Sequence, residues 1–280
     1  MLAGCGVPPP KSQFPTAALA LDRMKDNYAC ANGVQGEAKI DHFGPRGRIR
    51  GTIQLFAVNP ARVRIDVLSP LNTMIYTLTS NGKDFQMLDV QEKKFLYGPA
   101  KPCNLARMTQ VPVPGHVLVW LLRGEAPLLK HERDKPTIKW SEDGHYQVDI
   151  SSVNQAQQQL HLEVHPDDFD KPYAEQRLRV TRVVTSQRGV IVFDAELDRH
   201  EAAKTLPPRV DEDGLSKPIP PSGGACTAEI PRSIQIKVPS SGDDVVFQHK
   251  TVGFNPPIPA GAFSQEVPAG VRKMFVNCDQ

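Results

Sequence analysis

The sequence predicts a mainly β chain in which an antiparallel meander is combined with two or three helices. Apolar and polar residues alternate over short segments along most of the 280 residues, which is the period of a half-buried strand. The 26 prolines are spread along the chain and predict frequent turns between these strands. A chain of this length sits at the upper end of what one all-β sandwich or barrel uses, so we expect one large domain over residues 16–280.

The alternation predicts about eleven strands. It is clearest between residues 48 and 67, where apolar side chains share one face and Arg or Gln side chains share the other. Turns such as Ser69-Pro70 and Asn81-Gly82 join neighbouring strands. The residues from Thr205 to Ala225 are rich in Pro, Gly and charge, and we interpret them as a surface loop within the domain.

Two helices interrupt this pattern. Residues 16–28 place Ala17, Leu21, Met24 and Tyr28 on one stripe, with Thr16 as an N-cap. A second helix, bracketed by Pro114 and Gly124, is apolar on nearly every side. Such a helix must be covered on more than one face, so we expect it to fill the interior of the sheet.

Composition excludes several classes of function. With 33 basic and 31 acidic residues, the formal net charge of +2 gives no footprint for nucleic acid. No stretch approaches the roughly 20 apolar residues of a membrane-spanning helix. The sequence contains no GxSxG, P-loop, GxGxxG or HExxH motif, so we predict neither an enzyme nor a cofactor.

The remaining titratable clusters do not indicate a catalytic or metal site. His161 and His165 lie in an alternating segment, where a strand would hold the two rings roughly 13 Å apart, too far to share one ion. We therefore expect solvent-facing histidines and no bound metal. The acidic pairs Asp167-Asp168 and 211–213 lie in segments with the composition of turns, and we expect solvated charges there.

Leu2-Ala3-Gly4-Cys5-Gly6 resembles a bacterial lipobox, with Cys5 as the lipidated residue, although only four residues precede it. The alternative is a chance match in a cytoplasmic protein with reduced thiols. The proline-rich residues up to Pro15 favour an extended tether between a bilayer and the folded body. Because Asp does not follow Cys5, the resemblance favours the outer membrane of a Gram-negative bacterium over the inner one.

If Cys5 carries a lipid, four cysteines remain, namely Cys30, Cys103, Cys226 and Cys278. An even number in an oxidising compartment predicts two disulfides in one of three connectivities. Proximity along the chain favours Cys30 with Cys103 and Cys226 with Cys278. Reduced, buried cysteines are the alternative.

Two segments resemble the LolA/LolB superfamily of lipoprotein carriers and receptors. The first runs from Arg62 to Phe85 and consists of a strand, a Ser-Pro-Leu turn, a second strand and an Asn-Gly turn. The second runs from Ile230 to Val271 and orders a strand, Asn255, Pro259, a docked Phe263 and a terminal Pro-Ala-Gly-Val. With the two helices, the resemblance covers nearly the whole chain, although its motifs are loose.

The resemblance implies an incomplete antiparallel β-barrel whose open, apolar interior is covered by helices. It implies a monomeric outer-membrane lipoprotein, anchored through fatty acids such as palmitate, that binds lipid or lipoprotein acyl chains. A periplasmic carrier protein would be its partner. The residues we expect to line the cavity are Ile53, Leu55, Val63, Ile65, Met74, Tyr76 and Leu78, with Trp120, Leu121 and Leu122 as a lid.

Four alternatives stay open. The same residues can form a filled core, and the half-barrel can serve an envelope scaffold or sensor that binds a protein or peptide through the 205–225 loop. A freely diffusing LolA-like carrier is the third, and a hydrolase, which needs a clustered Ser/His/Asp set that sequence order does not reveal, is the fourth. In LolB-type receptors the turn after the corresponding strand carries an apolar residue that touches the bilayer, and Leu71 matches that position. Together with a lipid anchor, this favours the LolB-like receptor.

Overall fold

Fourteen strands form one open sheet in the part of the chain that the structure describes. The computed structural model describes residues 6–45, 47–109, 111–210 and 216–278; the lipobox residues up to Cys5 lie outside this part. The strands are β1 (Gly33–Gly44), β2 (Gly47–Val58), β3 (Arg62–Leu68), β4 (Met74–Ser80), β5 (Asp84–Asp89), β6 (Lys94–Pro99), β7 (Thr137–Ser141), β8 (His145–Ser151), β9 (Ala156–Val164), β10 (Leu178–Gln187), β11 (Val190–Ala202), β12 (Glu229–Val238), β13 (Asp243–Phe254) and β14 (Arg272–Phe275).

The sheet consists of two meanders that join at the pair β1 and β13. The strand order is β14-β6-β5-β4-β3-β2-β1-β13-β12-β11-β10-β9-β8-β7. Neighbours are antiparallel except β14 and β6, which are parallel. The first and last strands of this order are the two free edges, so the described sheet does not close into a barrel.

The strand count exceeds the eleven predicted from the sequence, for three local reasons. Strand β1 contains three glycines and three charged residues, which hide its alternation. The turn between β5 and β6, residues 90–93, carries no Gly or Pro signal. Strand β14 has only four residues and depends on its pairing with β6.

Three α-helices are present in the described residues, at Ala17–Tyr28 (α1), Pro102–Thr109 (α2) and Gly115–Arg123 (α3). The predicted bounds of α1 and α3 are confirmed, and the Oγ1 of Thr16 accepts the backbone N–H of Leu19 at 3.3 Å as an N-cap. Helix α2 was not predicted. None of these helices is long and apolar enough to cross a membrane.

Helix α3 is buried on nearly all sides. It contacts β1, β2, β3 and β12 and belongs to the main apolar core, which extends from α1 to β13. Leu121 and Leu122 are fully buried within it, while Trp120 is only partly buried. Gly124 ends the helix in the left-handed region, with a φ of 91°.

The two disulfides differ from the predicted pairing. Cys30 is bonded to Cys226 and Cys103 to Cys278, with Cα–Cα distances of 5.1 and 5.9 Å, both ordinary for a disulfide. Partners far apart in sequence meet because β14 pairs with β6, immediately before α2, and so carries Cys278 to Cys103. The pairing expected from proximity along the chain is therefore wrong.

The residues expected to be an extended tether lie against the folded body instead. Trp140 Nε1 donates to the carbonyl oxygen of Val7 at 2.9 Å. The ring of Phe14 is buried between Tyr146 and Tyr173, at centroid distances of 5.5 and 5.3 Å. Aromatic burial holds this segment in place, which its proline content did not reveal.

The end of the chain packs on the outer face of the sheet. Phe263 contacts Phe56 with ring centroids 4.7 Å apart. Asn255 is fully buried, and its Oδ1 accepts the backbone N–H of Asn32 at 2.7 Å. Its Nδ2 donates to the carbonyl oxygens of Cys30 and Gly224, each at 2.8 Å. These bonds fix the loop around Cys226 to the start of β1.

Candidate functional site

An apolar cavity of about 520 Å³ lies between strands β1 to β5 and the end of helix α2. It occupies the end of the sheet that carries the β1–β2 and β3–β4 turns, which we call the mouth end. The residues that line it are Ile40, His42, Ile49, Arg50, Gly51, Ile53, Ile65, Val67, Leu68, Ser69, Pro70, Ile75, Tyr76, Met87, Gln91, Arg107 and Thr109.

The register explains which side chains meet in the cavity. Ile53 pairs with Val67, and Val67 pairs with Tyr76, so three strands place these residues in one row. Leu55, Ile65 and Leu78 form the next row, farther from the turns. The cavity reaches the first row and Ile65, and the deeper residues pack in the core.

The structure brings three of the ten predicted cavity residues to this site, namely Ile53, Ile65 and Tyr76. Leu55, Val63 and Leu78 are buried within packed clusters of the sheet. Met74 is partly exposed at the start of β4. The three expected lid residues of α3 do not line the cavity, and the helix that does contribute to its wall is α2, through Arg107 and Thr109.

Gly51 leaves part of the cavity unfilled. It pairs with Ile40 on β1. A Cβ added at Gly51 would lie 3.8 Å from Val67 Cγ1 and 3.9 Å from Ile40 Cγ2, which is ordinary contact. The strand therefore tolerates a side chain here, and its absence leaves space between β1 and β3.

Polar groups border the apolar wall. His42 donates from Nε2 to Asp243 Oδ1 at 2.8 Å, and its buried Nδ1 has no hydrogen-bond partner among the described residues. Partial burial, with the Asp89 and Glu92 carboxylates nearby, raises the pKa of Tyr76. The site therefore combines an apolar interior with hydrogen-bonding groups at its border.

Leu71 projects beside this cavity. It lies in the β3–β4 turn directly after Ser69 and Pro70, which line the cavity, and its side chain is 89% exposed. The turn is held by the Ser69 hydroxyl, whose Oγ accepts the backbone N–H groups of Leu71 and Thr73 at 3.2 and 3.1 Å. An exposed leucine on a braced turn is well placed for contact with an apolar partner.

The histidine and aspartate clusters differ from the expectation of solvated side chains. His165 is buried, with Nε2 3.4 Å from Glu229 and Nδ1 2.9 Å from Arg177. Asp168 is fully buried, and its bonds to Arg177 and Lys171 hold the pKa of its carboxyl far below the usual range. These ion pairs brace the turn between β9 and β10. Residues 211–213 lie outside the described part of the chain.

Comparisons with known proteins identify the fold. No family model matches the chain, and no curated protein sequence matches it. Among solved structures, a LolA superfamily protein from Nitrosomonas europaea is similar with a TM-score of 0.51 at 10% identity, covering 90% of this chain and 99% of that one. A DUF1329 family protein from Desulfovibrio piger is similar with a TM-score of 0.51 at 11% identity, covering 90% and 98%.

Proposed function

We propose that this chain, which has a LolA/LolB-like fold, binds one acyl chain of a lipid or lipoprotein in the cavity at its mouth end. The observation that carries the proposal is an apolar cavity of about 520 Å³ that lies beside the exposed Leu71. A methylene occupies about the same volume as one molecule in liquid water, about 30 Å³. The cavity therefore accommodates on the order of 17 methylenes, which is about one fatty-acyl chain. Burial of each methylene contributes about 0.8 kcal/mol, so binding needs few polar contacts.

We further propose that the protein acts in lipoprotein localisation as a LolB-like receptor. Cys5 would carry the lipid anchor at the periplasmic face of the outer membrane, and a periplasmic carrier would deliver the acyl chains. The lipobox-like sequence supports this proposal, as do the two disulfides, which form in oxidising compartments. A soluble LolA-like carrier with the same cavity is the alternative, and lipidation of Cys5 separates the two.

The position of Gly6 sets a condition on such an anchor. Gly6 lies against Glu142 in the β7–β8 turn, at the end of the sheet opposite the mouth end. Strand β9 spans nine residues, or about 30 Å. For Cys5 and Leu71 to reach one bilayer, residues 6–15 must leave the body and extend, and ten extended residues span at most about 35 Å.

Filling the cavity tests the acyl-chain proposal. We expect Gly51→Phe to lower the affinity for a fluorescent long-chain fatty acid at least tenfold, because the ring occupies the space between Ile40 and Val67. Gly51→Ala is the matched control, since it adds only the Cβ that the site accommodates. Titrations of the parent and both variants are compared with their melting temperatures, which should agree within a few degrees.

Two results would overturn the proposal. One is a parent protein that binds no fatty acid and carries no lipid when its native mass is measured. The other is a Gly51→Phe variant that binds as tightly as the parent, because the acyl chain would then lie elsewhere.

A groove on the outer face supports a second candidate function, an envelope scaffold that binds a protein or peptide. The groove has a volume of about 810 Å³ and is walled by residues 206–209, from the loop between β11 and β12, and by Pro257, Pro259 and Ala262. It is independent of the cavity. The scaffold hypothesis is the one to pursue if the parent protein fails to bind fatty acids.

A further inference from the structure

Four exposed aliphatic side chains lie in the β8–β9 connection and at the start of β11, directly after the β10–β11 turn. They are Val153, Val190, Ile191 and Val192, with exposures of 63%, 61%, 39% and 39%, and we call them the apolar tip. Ala156 on β9 pairs with Gln187 on β10, and Gln187 pairs with Val190 on β11. The β8–β9 connection and the β10–β11 turn therefore lie side by side. The backbone N–H of Arg188 donates to the carbonyl oxygen of Gln155 at 3.0 Å and joins them.

The apolar tip lies at the mouth end of the sheet, several strands away from Leu71. One row of paired residues runs from Asp194 on β11 through Lys237 and Asp244 to Phe43 on β1. The β1–β2 turn follows Phe43 on one side of this row, and Val190 lies four residues from Asp194 on the same side. The apolar tip and the cavity therefore lie at the same end of the sheet.

The two connections that carry the apolar tip contribute one positive charge, and the neighbouring β12–β13 hairpin carries Asp243 and Asp244. Residues 151–157 and 185–192 contain no carboxylate, and Arg188 is their one charged residue. The β3–β4 turn, residues 69–73, contains no charged residue. The β1–β2 hairpin lies between the apolar tip and the β3–β4 turn. On it, Arg48 and Arg50 share the single carboxylate of Asp41.

We propose that the apolar tip is a second bilayer contact, which works with Leu71 to set the mouth end on a lipid surface. Separate aliphatic knobs on hairpin turns suit a fluid acyl layer, whereas a protein partner requires one continuous complementary surface. Arg188, the one charged residue of the two connections, matches anionic headgroups, and its long stem lets the charge stay at their level. Contacts at Leu71 and at the apolar tip would hold the mouth end against the membrane. An acyl chain could then move between the bilayer and the cavity with little exposure to water.

The purpose of this bilayer contact rests on the proposed function. The vesicle-binding test, however, does not depend on acyl-chain binding. The full chain with Cys5→Ser, oxidised to form both disulfides, is mixed with vesicles of phosphatidylcholine alone or with phosphatidylglycerol and floated through a density gradient. We expect the protein to float with the vesicles, and Val190→Glu/Ile191→Glu to reduce the bound fraction at least tenfold.

A control variant separates this effect from a general change in surface polarity. Val210→Glu alters a residue that is 60% exposed, like Val190, but lies in the loop at the opposite end of the sheet, and it should bind as the parent does. Arg188→Gln should lower the preference for phosphatidylglycerol about fivefold and leave binding to phosphatidylcholine unchanged.

The outcomes for the two proposals are distinct. A parent that binds fatty acid but neither vesicle overturns the bilayer contact and leaves the cavity proposal intact. Equal losses in Val210→Glu and in the double variant also overturn it. A parent that floats with vesicles and loses this in the double variant, yet binds no fatty acid, supports the tip and overturns the cavity proposal.

Discussion

Arg123 donates from Nη2 to Glu125 Oε2 at 2.8 Å, and both side chains are buried where α3 ends. Arg123 also donates to Asn59 Oδ1 and, at 3.4 Å, to the carbonyl oxygen of Tyr28. Burial raises the pKa of Glu125 and lowers that of Arg123. The ion pair therefore depends on these close contacts, which connect α3 to α1 and to the β2–β3 turn.

Removing one partner of this pair should destabilise the fold strongly. We expect Arg123→Met to reduce the free energy of unfolding by about 3 to 5 kcal/mol, because it leaves the Glu125 carboxylate buried without its guanidinium. The measurement is urea unfolding followed by circular dichroism. In the control Arg123→Met/Glu125→Met, most of the loss should be recovered; a single variant within 1 kcal/mol of the parent would contradict the prediction.

The sequence predicted those elements whose signals are local. Helix α3 was found within its bounds because Pro114 and Gly124 bracket a continuous apolar run, and β2 and β3 were found because their residues alternate. Strand β14 depends on its pairing with β6 and on the disulfide to Cys103, which are long-range contacts. No local pattern could reveal it.

The cavity was predicted in part, for a related reason. Alternation shows that Ile53 and Leu55 share a face of β2, but it does not show how deep each lies along the strand. The deep end is filled by α3, which contacts β1, β2 and β3, and so Leu55 is core while Ile53 borders the cavity. Gly51 and the contribution of α2 depend on neighbours that a single strand does not specify.

The disulfides give a direct test of the topology. Non-reducing peptide mapping should recover the pairs Cys30 with Cys226 and Cys103 with Cys278. Because the partners are 196 and 175 residues apart, each crosslink alone should stabilise the protein by about 5 kcal/mol in the chain-entropy treatment. Cys103→Ser/Cys278→Ser should therefore unfold at a lower urea concentration than the parent, and four alkylated thiols in the unreduced parent would refute both links.

Stability should fall in mild acid because of a buried histidine. Burial and the nearby Arg232 lower the pKa of His249 to about 4, below the unfolded value of about 6.5. Because the folded state favours the neutral ring, its contribution is complete above pH about 6.5 and is lost as the pH falls towards 4. At pH 5 the loss from this one group is about 2 kcal/mol.

His249→Leu isolates the pH-dependent contribution of this histidine to stability. Urea midpoints measured at pH 7.5 and 5 should differ less in the variant than in the parent. His200, whose pKa burial and Arg179 also lower to about 4, remains in both proteins and supplies a common background. Equal pH dependence in the two proteins would show that His249 does not titrate in this range.

A charge at Leu121 distinguishes a core helix from a mobile lid. Its side chain is fully buried in the main core, and it does not line the cavity. Leu121→Glu should therefore bury an unpaired carboxylate and lower stability by several kcal/mol. Leu71→Glu is the matched control: its side chain is 89% exposed, so the melting temperature should stay within a few degrees of the parent, with fatty-acid affinity retained. If Leu121→Glu instead melted near the parental temperature and lost only fatty-acid binding, α3 would be a lid that opens toward solvent, and the acyl chain would lie beneath it.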